Sequence, residues 1–173
     1  MPHQRSTALT GSAGEHFVVC ELLKRGYIAS LVPDGVPNCD VLVTDISGSR
    51  LAAIQVKTRW NIGSDGGWHM SKKHEHISGE RLFYCFVDFG NSPDDQPNVF
   101  VVPSEVVADL LGRAHQAWLS SPGAKGQQRK DTDLRRLRPD YSQILMDDDR
   151  FHDGWMGKYK RAWHLLELNK ITE

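Results

Sequence analysis

The sequence predicts an α/β protein, a β-sheet flanked by helices. Three observations carry that reading. A stretch with helical spacing of apolar residues opens the chain at 15–25. Three short segments of strand character follow at 27–32, 39–45 and 50–58. A strongly apolar, aromatic run at 82–89 then leads, through a short strand at 99–102, to a second helical stretch at 103–119.

Each element has its own local signals. Val18, Val19 and Leu22 form one stripe of the first helix; Thr10 or Ser12 is placed to cap its start and Gly26 to end it. Pro33-Asp34-Gly35 and Pro37-Asn38 read as a loop, and Ser47-Gly48-Ser49 as a tight turn that makes the second and third strands antiparallel neighbours. Pro103 stands at or near the first position of the second helix. Beyond it, 121–130 (SPGAKGQQRK) reads as a mobile loop, and 155–168 has aromatic and leucine residues at roughly helical spacing. The expected division is a core over 1–120 and, over 121–173, a basic loop with a C-terminal helical extension packed on it.

Bulk properties narrow the function classes. The 173 residues suffice for one domain with a real core. A formal net charge of -1 means that any nucleic-acid binding must come from local patches. Cys20, Cys39 and Cys85 are widely spaced with no CxxC pair, which argues against a zinc ribbon and suits reduced thiols. The opening residues lack the apolar run of a signal peptide, and no stretch is long and apolar enough to span a bilayer. A soluble, cytoplasmic protein is expected.

Four residues stand out for chemistry. Glu15 lies within the apolar stripe of the first helix, where a carboxylate is costly unless paired or bound to a cation. Asp40 stands at the entry of the second strand. Gln55 and Lys57, two apart on the third strand, leave the same face, with Ile54 and Val56 on the other. Each also has an ordinary explanation: a solvated first-turn Glu15, and an exposed cross-strand Asp–Lys pair worth a few tenths of a kcal/mol.

Taken in order, Gly14-Glu15, Leu23-Lys24-Arg25-Gly26-Tyr27, Pro37-Asn38-Cys39-Asp40 and Ile54-Gln55-Val56-Lys57-Thr58 resemble the PD-(D/E)XK (restriction-endonuclease-like) nuclease superfamily. The likeness is greatest to the branch of archaeal Holliday-junction resolvases and small homing endonucleases, and it covers roughly residues 11–60. It implies a restriction-endonuclease-like mixed sheet flanked by helices. It implies a metal-dependent DNA endonuclease, with Glu15, Asp40 and Gln55 holding Mg²⁺ or Mn²⁺ and Lys57 acting on the water and phosphate. A homodimer would fit the cutting of two strands. Position 55 departs from the motif: it is Gln where an acid is usual, although some homing endonucleases share it. An amide oxygen can ligate Mg²⁺ but brings no charge. The alternative is therefore a catalytically degenerate nucleic-acid-binding or assembly module on the same fold.

Further candidates for nucleic-acid contact are Thr58 and Arg59, directly after Lys57, and Lys72 and Lys73 beside His74 and His76. The most basic stretch, with Lys125, Arg129, Lys130, Arg135, Arg136 and Arg138, reads as an arm that orders on nucleic acid. Asp147-Asp148-Asp149 reads as a solvated turn or helix start, and Trp118, Trp155 and Trp163 as core or interface aromatics.

Overall fold

The computed structural model describes residues 6–60 and 66–168; most of the stretch 61–67, whose glycines read as a loop in the sequence, falls outside that range. Helix α1 spans Thr7–Leu23 and is followed by strands β1 (Ile28–Leu31), β2 (Val41–Thr44) and β3 (Leu51–Arg59). Strand β4 (Trp68–Ser71) runs into a 3₁₀ turn at Lys72–Glu75. Then come β5 (Leu82–Asp88), β6 (Asn98–Pro103), α2 (Ser104–Ser120) and β7 (Leu134–Leu137). The chain closes with 3₁₀ turns at Asp149–Phe151, Trp155–Tyr159 and Trp163–Leu166.

Five strands form one mixed sheet in the order β1-β2-β3-β5-β6; β3 and β5 are parallel, and the other neighbours antiparallel. The β2–β3 hairpin turns at Gly48, whose φ of 73° suits a residue without Cβ. The Asp45 carboxylate braces it, accepting from Ser47 Oγ, Ser49 Oγ and the Arg50 N–H. Strands β4 and β7 form a separate two-stranded ladder.

Strand alternation sorts the side chains into two cores. Ile54 and Val56, with Phe83, Cys85 and Val87 of β5, face α1, where Val18 and Leu22 are fully buried. Tyr84 and Phe86 of β5 and Val102 of β6 face the other way, against α2 and the 134–159 segment, with Trp68, Leu110, Leu137, Tyr141 and Trp155. The second face is covered over one half of the sheet. Over the β1–β2–β3 half, Ile28, Leu42 and Leu51 lie exposed. Among the described residues no helix is long and apolar enough to cross a membrane.

Several expectations change. Helix α1 begins eight residues before the expected start at 15, so Thr10 and Ser12 lie inside it and Ser6 takes the capping position without a side-chain bond. Gly26 does follow its end, at φ 81°. Glu21, outside the apolar stripe of Val18, Val19 and Leu22, is buried and held by Lys24, Arg25 and Arg161. The 155–168 segment forms 3₁₀ turns rather than an α-helix, with Trp155 and Trp163 buried as core aromatics. The basic 134–137 segment is a strand, not part of a loose arm.

Candidate functional site

The site forms where β3 outruns β2. The register Val41↔Ile54 places Asp40 opposite Gln55, and the Asp40 N–H donates to the Ile54 carbonyl at 2.9 Å. One step further, the side chain of Asp40 takes over from the ladder: its Oδ2 accepts the Val56 N–H at 2.7 Å. The same oxygen accepts from Gln55 Nε2. The amide presents its nitrogen because its oxygen would meet a carboxylate. Gln55 is buried, so that bond also satisfies a polar group that water does not reach.

Lys57 leaves the same face two residues on. On parallel β5, Tyr84 stands beside Gln55 and Phe86 beside Lys57. Burial pushes the Lys57 amine below its ordinary pKa. The carboxylates of Asp40 and Glu15 act against that shift, and the Lys73 ammonium adds to it. Burial pushes Glu15 upward; the charge of Asp40 adds to this, and Lys57 acts against it. Glu15, Asp40 and Lys57 thus lie within one another's electrostatic reach, together with the Gln55 that bonds Asp40.

Two further residues belong to this neighbourhood. His74, in the 3₁₀ turn after β4, is buried and meets the Tyr84 hydroxyl through Nδ1 at 2.8 Å. Burial, followed by the charges of Lys57 and Lys73, lowers its pKa to about 4. At neutral pH it is an uncharged hydrogen-bonding partner. Tyr84, buried in the middle of an apolar run, gave no sequence signal, because its place beside Gln55 follows from a parallel pairing between distant segments.

The other expected contact residues are divided by the structure. Thr58 faces α1, where its Oγ1 lies against Gly14, on the side of the sheet away from Lys57. Arg59 is engaged internally: it pairs with Asp88 at 2.7 Å, donates to the Gly66 carbonyl and lies over the Trp68 ring at 3.7 Å. Arg135 is buried and paired with Glu75 and Asp131. In the structure all three side chains are engaged within the fold. Lys72 is held by Asp131 at 2.7 Å. Arg129 folds onto Trp118, donating to its carbonyl at 3.0 Å and lying over its ring at 4.7 Å. Lys73, Lys125 and Lys130 are exposed, and Arg136 lies half-buried opposite His69. The acidic run at 147–149 forms a turn in which Asp148 pairs with Arg113 and Arg150.

The donor set for a cation is small. Among the described residues, no three His, Cys, Asp or Glu side chains converge in a way that could hold a metal ion. Among the described residues, the acids that bear on this site are Asp40, Glu15 and, acting on Glu15, Asp34, and the Gln55 amide is turned to Asp40 with its nitrogen.

No protein-family model matches the sequence, and no curated protein matches it. Among solved structures, the chain is similar to a bacterial homing endonuclease, I-Ssp6803I, with a TM-score of 0.52 and 20% identity, covering 95% of this chain and 93% of that one. The fold is restriction-endonuclease-like. A weaker likeness is to Hjc, a Holliday junction resolvase from Archaeoglobus fulgidus, with a TM-score of 0.40, 16% identity, and coverage of 74% and 83%. At these identities the likeness is one of fold, and in this restriction-endonuclease-like sheet the Asp40 site sits at the border between the open and covered halves of one face.

Proposed function

We propose that this chain is a nucleic-acid-binding module on a restriction-endonuclease-like fold, one whose centre is short of the charge that a resident metal needs. The carrying observation is the Asp40–Gln55 bond, in which an amide N–H stands against the carboxylate where a cation or a second acid would otherwise be placed. Lys57, with the exposed Lys73 near it, supplies positive charge for a phosphate. The solved homing endonuclease of similar fold supports nucleic acid, DNA in particular, as the partner class.

A second reading is favoured by the approach of Glu15, Asp40 and Lys57. On that reading the chain is a Mg²⁺- or Mn²⁺-dependent DNA endonuclease. Asp40, Glu15 and the oxygen of a turned Gln55 amide would hold the ion, which suits Mg²⁺ because it often binds through one or two carboxylates. When bound, the ion supplies Lewis acidity toward the phosphate. Lys57, its pKa lowered, would orient the attacking water or take up its proton, and would stabilise charge developing on the phosphate.

A binding titration at several salt concentrations, beside a nicking assay with Mg²⁺ and with Mn²⁺, separates the two. Salt-dependent binding without cleavage of duplex, junction or single strand supports the module. Cleavage that Lys57→Ala abolishes establishes the enzyme instead. Absence of both binding and cleavage overturns both readings.

A further inference from the structure

A second hollow lies between α2 and the segment that carries β7, with a volume of about 280 Å³. Leu111, Ala114 and Ile144 give it apolar walls, and Trp118, Arg136 and Arg138 also line it. Its size is just under the span of about 300–1,000 Å³ usual for small-molecule sites, which also combine apolar walls with few polar groups. A neighbouring hollow of about 500 Å³ shares Trp118, Arg138 and Ile144 with it and adds Arg129.

The polar groups around it are in two different states. Arg135, on the same strand as Arg136, is buried against Glu75. Asp131, the nearby carboxylate, is occupied by Lys72, Arg135 and His115 Nε2, the last at 2.8 Å. Tyr141 donates its hydroxyl proton to the Arg136 carbonyl and accepts the Arg138 N–H. The Arg138 guanidinium, in contrast, enters no hydrogen bond or ion pair among the described residues; only its backbone does. Trp118 is half-buried, with His115 stacked on its ring at 5.5 Å and 24° and the Arg129 guanidinium over the ring at 4.7 Å.

We infer that this hollow is a nucleotide pocket, taking a nucleobase between its apolar walls and its phosphate at Arg138. A bare anion would leave the apolar walls uncovered, and a purely apolar ligand would leave the guanidinium unused. An aromatic ring carrying a phosphate matches both. The same chemistry is offered by a free mononucleotide and by an unpaired base in a strand that continues past Arg129. The inference is independent of the Asp40 site and stands or falls without it.

The test is calorimetry of the full chain with adenosine monophosphate, a short oligodeoxyadenylate and inorganic phosphate. Saturable binding of the nucleotide or the oligomer is expected. Arg138→Gln should weaken it at least about tenfold, the usual scale for a lost charge-assisted hydrogen bond. Ala114→Leu, which fills the hollow, should abolish it. Equal affinity for nucleotide and oligomer assigns a free nucleotide; much tighter binding of the oligomer, displaced by the nucleotide, assigns a strand. The inference is overturned if neither ligand binds, or if inorganic phosphate displaces the nucleotide at equal concentration. It is also overturned if both variants bind as well as the wild type. Should Ala114→Leu lose its circular dichroism signal, Arg138→Gln, at a half-buried side chain, decides alone.

Discussion

The Gln55 amide can meet Asp40 with its nitrogen or its oxygen, and a nearby cation reverses which is favoured. Gln55→Glu removes the choice. Without divalent metal, two carboxylates would face one another where a hydrogen bond now lies, at a cost of about 1–3 kcal/mol. The melting temperature should fall by roughly 2–4 °C for each kcal/mol, and Mn²⁺ should restore it. The wild type should respond much less to Mn²⁺; an equal response in both proteins would contradict the self-satisfied site. His74 makes a second prediction. Its pKa is about 4 in the folded chain against an ordinary 6.5, so between those values the unfolded chain binds more protons. Its contribution to stability is complete above pH 6.5 and is lost as the pH falls through about 4. At most about 3 kcal/mol is involved. Urea denaturation across that range should show a shallower acid loss in His74→Gln, with a lower plateau at neutral pH from the lost Tyr84 bond.

At the scale of elements, the contact between α1 and β3 is set by Gly14. A Cβ there would collide with the Thr58 side chain, its hydroxyl nearest, and Gly14 itself is buried. Gly14→Ala should destabilise by about 1–3 kcal/mol, the cost of overpacking, although alanine favours helix. Thr58→Ala in the same chain should recover part of the loss; no recovery in denaturant titrations would place the strain elsewhere. Elements with their own periodicity and turn residues were legible in the sequence: β2 and β3 around Gly48, β5, and α2 after Pro103. The start of α1 was not, because Thr7–Gly14 is rich in small polar residues and glycine and shows no apolar stripe. The approach of Asp40 to Gln55 could be read because a short hairpin fixes it. Arg135 could not be read as interior, because its burial depends on Glu75, sixty residues away.

Over the whole molecule, the two faces of the five-stranded sheet differ in how they are assembled. The α1 face is built mainly from 7–60, through neighbours along the chain, with β5, β6 and the 163–168 turns completing it. The other face depends on β7 joining β4 and on the 141–159 turns, contacts of long sequence separation whose closure is entropically costly. The turn that carries Lys73 and His74 is fastened to that late-closing part through Lys72–Asp131 and Glu75–Arg135. Amide hydrogen exchange should therefore resolve two cooperative units, with β4, β7 and the 72–75 turn exchanging before β2, β3 and β5. The wall of the Asp40 site that bears its second lysine would then come and go on a slower clock than side-chain motion, opening by local unfolding while the carboxylates opposite stay in place.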